Sequence, residues 1–124
     1  MEKKPLILAI HDDQFYLNEI KMEVEGHADY ILLQGPNNFE DNVSSTDVQN
    51  ADLIIVDYDF GAGTAVKSGV AEYIRRDLGY NGKLMLCSLH EDFRENEAKI
   101  RKDYDVVIHK RDLNWSKICE HIHG

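Results

Sequence analysis

The chain of 124 residues carries 14 Lys and Arg against 23 Asp and Glu, a formal net charge of −9. That balance excludes the basic footprint a protein needs to neutralise phosphate backbones, so no nucleic acid is expected as a direct partner. The length allows one domain with a real core and no second folded unit, which predicts a single domain over 1–124 with no output domain.

Residues 5–10 read as a first strand, apolar after Pro5, with polar His11, Asp12 and Asp13 at its end supplying a helix N-cap. The apolar run is too short for the core of a signal peptide or for a membrane span. Leu17, Ile20 and Val24 then recur at helical spacing, with Tyr16 on the same face, and Gly26 closes the helix. Residues 30–33 form a short apolar strand and 35–38 a turn. Over 39–50 only Phe39, Val43 and Val48 could anchor a short helix.

Leu53, Ile54, Ile55 and Val56 are apolar without alternation, as in a strand buried on both faces of a parallel sheet, and the run ends on Asp57. A loop with Gly61 and Gly63 leads to a helix marked by Val66, Val70, Ile74 and Leu78. Residues 83–88 make a fourth buried strand ending on Ser88, and 91–103 a helix with a thin apolar face of Phe93, Ala98 and Ile100, light enough in packing to move. Residues 106–108 make a fifth strand running into His109 and Lys110, followed by a closing helix on Leu113, Trp115, Ile118, Cys119 and Ile122. Cys87 and Cys119 sit in apolar patterns without a CxxC spacing, as expected of a reduced, cytoplasmic protein.

Five β-α units with helix-length crossovers predict an α/β fold, a parallel sheet with helices on both faces. The C-terminal ends of such strands share one edge, where open α/β sheets bind ligands. Here those ends deliver Asp12 and Asp13, Asp57, Ser88 and Lys110. Carboxylates gathered at one point repel unless they share a cation, and hard oxygen donors favour Mg²⁺. Lys110 adds a mobile positive charge for another oxygen and Ser88 a hydroxyl. Such a set suits the formation and holding of a phosphoryl group on a carboxylate.

With these residues in this order, the chain resembles the receiver domains of two-component response regulators over essentially its whole length. The resemblance implies a flavodoxin-like (βα)5 doubly wound sandwich, its five-stranded parallel sheet ordered 2-1-3-4-5. It implies a stand-alone receiver whose Asp57 accepts phosphate from a histidine kinase or histidine phosphotransfer protein. Asp12, Asp13, Asp57 and the backbone carbonyl of Asp59 would hold Mg²⁺, and Lys110 and Ser88 would bind the phosphoryl group. The chain would be no enzyme beyond its own phosphotransfer and dephosphorylation. A downstream protein target would dock on the fourth helix, fifth strand and fifth helix of a monomer or weak phosphorylation-dependent dimer. No membrane partner is implied.

Departures from the family pattern lead to further expectations. The loop after Asp57 is longer than usual, reaching a late Gly69, and Leu89 stands where a small residue is common, which narrows access to the phosphoryl group. By the resemblance, Asp59 and His90 occupy the two positions that commonly tune phosphate lifetime in the family, and the Asp59 carboxylate and Leu89 are expected to alter attack by water. Val107 replaces the usual aromatic switch. These departures keep open a receiver-like interaction module that never takes phosphate. Asp57-Tyr58-Asp59 also resembles the DxD motif of haloacid-dehalogenase-type phosphatases, although that motif normally opens a longer chain. Of the six histidines, His11 is expected to pack at its strand end rather than to bind a softer metal. His121 and His123 fall on different sides of a helix, a poor arrangement for a metal site with Cys119.

Overall fold

The computed structural model describes residues 4–11, 14–34, 45–57, 73–88 and 104–123. Five strands, β1 (Leu6–His11), β2 (Asp29–Gln34), β3 (Leu53–Asp57), β4 (Lys83–Ser88) and β5 (Val106–His109), form one sheet. All its pairings are parallel and its order is β2-β1-β3-β4-β5, as expected. The helices are α1 (Gln14–Val24), α2 (Ser45–Asn50) and α3 (Trp115–His123). The expected turn at 35–38, the helix over 91–103 and the Phe39, Val43, Val66 and Val70 anchors lie outside the described residues.

Strand geometry sends alternate side chains to opposite faces, and the register makes the rows continuous across the sheet. Ala9 pairs with Ile55, Ile55 with Met85 and Met85 with Val106, all on one face. The next row, Ile10, Val56, Leu86 and Val107, belongs to the other. Leu17, Ile20 and Val24 of α1 and Ile118 of α3 cover the first face; Val48 of α2 and Ile74 cover the second. Both layers are needed, because every side chain from Leu53 to Val56 is at most 1% exposed.

Helix ends follow local chemistry. Gly26, at φ 88°, takes the left-handed conformation that stops α1, and Val24 O accepts from the amides of His27 and Ala28. Asn114 caps α3, its Oδ1 accepting from Lys117 N at 3.0 Å. The fourfold spacing through Ile74 and Leu78 predicts an α-helix, whereas its described part, Tyr73–Asp77, is a π-helical turn. Its exit is held from outside the helix. Ile74 O accepts from Tyr80 N, Gly79 turns at φ 70°, and Gln49 Nε2 donates to Leu78 O.

A polar clamp ties this turn to the N-terminal edge of the sheet. Arg75 donates to Tyr80 O at 3.1 Å, to Gly82 O at 2.7 Å and to Asp105 Oδ2 at 2.7 Å. The same Asp105 oxygen accepts from Leu84 N at 2.9 Å, joining the start of β4 to the start of β5. The Tyr80 ring lies under the Arg75 guanidinium, and its hydroxyl donates to Lys83 O at 2.9 Å and approaches Ala51 O at 3.3 Å. Burial pushes the Tyr80 phenol above its ordinary value; Arg75 opposes the shift, and Asp52 and Asp105 add to it.

A phenol held neutral in the fold contributes stability that is complete below its ordinary value, about 10, and shrinks as pH rises above it. Tyr80→Phe should therefore cost about 1–2 kcal/mol at neutral pH. Urea denaturation should then show the gap between wild type and variant narrowing in alkaline solution; a gap independent of pH would refute the assignment.

Candidate functional site

The C-terminal edge of the sheet brings together the backbones of three of the residues the sequence singled out. Asp57 is the last residue of β3, Ser88 the last of β4, and Lys110 follows β5 at the start of a 3-10 turn, Lys110–Asp112. Register places them relative to one another. The Asp57 backbone pairs with Cys87, and Cys87 with Ile108, while Ser88 pairs with His109. With neighbouring strands about 4.8 Å apart, the ends of β3, β4 and β5 fall within roughly 10 Å along the edge.

On the other side of β3 lies β1, whose Ile10 pairs with Val56, so its last residue, His11, reaches the level of Asp57. Asp12 and Asp13 directly follow His11 and lie outside the described residues, as do Asp59, Leu89 and His90. His11 is 3% exposed and stacks on Tyr16 with ring centroids 4.9 Å apart. The stack joins the end of β1 to the first turn of α1. Its burial agrees with the packing reading of this histidine.

Beneath this edge, between α1 and the turn after β5, is a cavity of about 430 Å³ walled by Ile10, His11, Tyr16, Ile55, Cys87 and Arg111 among others. His11, Tyr16, Cys87 and Arg111 each have interactions within the protein. The segment beyond β5 is fastened at three points. His109 Nδ1 accepts from Arg111 N at 3.1 Å, Glu23 Oε1 of α1 accepts from Trp115 N at 3.3 Å, and the Trp115 ring stacks on His27 at 4.9 Å. Sequence reasoning found the strand-end residues but missed the His109 contact. An acceptor side chain two residues before a turn amide was the available signal. Val107, at the position of the expected aromatic switch, is half-buried against the face that holds Ile74 and Tyr104.

No protein-family model matches the sequence, and no curated protein matches it. Solved structures do match in shape. The signal receiver domain of the response regulator NarL from Mycobacterium tuberculosis superposes with a TM-score of 0.71 at 12% identity, covering 99% of each chain. A response regulator from Thermotoga maritima gives 0.74 at 13% identity, covering 98% of this chain and 99% of its own. The fold is that of response regulator receivers. A third receiver-fold match is a Burkholderia pseudomallei response regulator holding a phosphorylated aspartic acid, a calcium ion and citrate. It gives a TM-score of 0.69 at 12% identity over 96% of this chain and 66% of that one. Among the described residues of this receiver fold, no helix is long and apolar enough to cross a membrane.

Proposed function

We propose that the chain is a phosphorylation-controlled receiver that takes a phosphoryl group on Asp57 from a histidine kinase or histidine phosphotransfer protein. The observation carrying this reading is the edge itself: in a receiver fold, β3, β4 and β5 end together on Asp57, Ser88 and the turn begun by Lys110. Phosphotransfer breaks the P–N bond of the donor imidazole and makes a P–O bond to the Asp57 carboxylate. Lys110 would balance charge on the transferring oxygens, and the Ser88 hydroxyl would donate to one of them.

The donor set fits a divalent cation. β1 and β3 are neighbours, Asp12 and Asp13 follow the last residue of β1 in sequence and Asp57 closes β3, which makes an all-oxygen donor set of the kind Mg²⁺ prefers. Asp12, Asp13, Asp57 and the Asp59 carbonyl would hold it. When bound, the ion neutralises charge on phosphoryl oxygens. The domain would turn over nothing beyond its own phosphotransfer and dephosphorylation, and it would work in the cytoplasm. Its output would be a changed affinity for a protein target, by a shift between two populations of the domain.

Beryllium fluoride with Mg²⁺ mimics an acyl phosphate. Amide NMR of the protein titrated with it should show shifts concentrated around Asp57, Ser88 and Lys110. Silence at those amides would refute the phosphoacceptor reading and favour a receiver-fold binding module.

A further inference from the structure

We infer that His109 is a positioning residue for Lys110, setting the turn from which the lysine acts. His109 is the last residue of β5 and pairs in register with Ser88. Its Nδ1 accepts the Arg111 amide at 3.1 Å, closing a ring of main chain and imidazole around Lys110. An accepting Nδ1 carries no proton, so the ring proton of the neutral imidazole is on Nε2. The geometry is that of an Asx turn, in which a side-chain acceptor at one residue takes the amide two residues on.

The contact lies in an exposed part of the turn. Arg111, Asp112 and Asn114 are exposed, and Leu113 packs against the core. The next fixed points, the Glu23 contact to Trp115 N and the Asn114 cap, hold α3 rather than the residue after β5. His109 alone among these contacts spans Lys110, and through its register it ties that residue's backbone to the strand end that carries Ser88. Imidazole is suited to this task because Nδ1 and the Oδ1 of asparagine stand the same number of bonds from the main chain. Leucine offers similar bulk and no acceptor.

The inference rests on the phosphoacceptor reading, and two measurements separate the two. In the unmodified protein, His109→Leu should move the Arg111 amide resonance and speed its hydrogen exchange, while His109→Asn should keep both close to wild type. With Mg²⁺, beryllium fluoride should bind His109→Leu roughly three- to tenfold more weakly than wild type, the size expected for one lost hydrogen bond, and His109→Asn within about twofold. Thermal melts of both variants establish that they are folded. Wild-type response with unchanged affinity in His109→Leu, or no rescue by His109→Asn, overturns the positioning role alone. A wild type with no beryllium fluoride response overturns the phosphoacceptor reading, and this role falls with it.

Discussion

Phosphoramidate, a small donor with a P–N bond, should in the presence of Mg²⁺ and on long incubation, since Leu89 narrows access, place one phosphoryl group on the wild-type protein, visible by intact-mass spectrometry, and none on Asp57→Asn. The expected effect is complete loss, because an amide cannot supply the carboxylate oxygen that attacks phosphorus. Asp57 closes β3, and β3 has strands on both sides, so the substitution leaves the buried run from Leu53 to Val56 untouched. The variant should therefore melt close to wild type. Labelling that persists in Asp57→Asn would move the acceptor elsewhere, and turnover of a generic phosphomonoester would favour the phosphatase reading instead.

The second large effect concerns the sheet. Ile54→Ala and Ile55→Ala should each cost about 2–5 kcal/mol in chemical denaturation. Their side chains are 0% and 1% exposed, and they point into different cores, Ile54 toward Val48 and Ile74, Ile55 toward Leu17, Ile20 and Ile118. A sheet covered on one face would give one expensive and one cheap substitution. Equal penalties are the signature of helices on both sides, and a cheap Ile54→Ala or Ile55→Ala would contradict the packing described.

The elements that were legible in the sequence are those whose identity is local. Four consecutive β-rich residues with no polar face match a strand buried on both faces, and Leu17, Ile20 and Val24 on a helical period are the three buried residues of α1. Strand bounds moved by about one residue: β1 and β5 each run one position further, onto His11 and His109. The strand order came from a family resemblance, since periodicity says which side chains are buried and not which strands are neighbours.

Other features were invisible for a physical reason. The Arg75–Asp105 pair joins residues 30 apart in the chain, and nothing in either neighbourhood marks the partner. The π-helical turn at Tyr73–Asp77 coincides with contacts from beyond its end, the Tyr80 amide donating to Ile74 O and Arg75 donating to Tyr80 O and Asp105 Oδ2, a tertiary override of a regular pattern. At the candidate site, the residue types and the common edge were readable, whereas the fastening by His109 depends on the path of the backbone after β5.

The strand order also dictates how the chain can assemble as it leaves the ribosome. β1 is made first, yet it lies between β2 and β3 and pairs with both. β2 can join it at once, but the other flank of β1 stays open until residues 53–57 have emerged. From then on growth is strictly sequential, β4 onto β3 and β5 onto β4. From β3 on, the sheet has its next docking edge at the newest strand, and a nascent chain with residues from 106 onward still in the exit tunnel would present β4, with Leu84, Met85 and Leu86, as an unpaired margin.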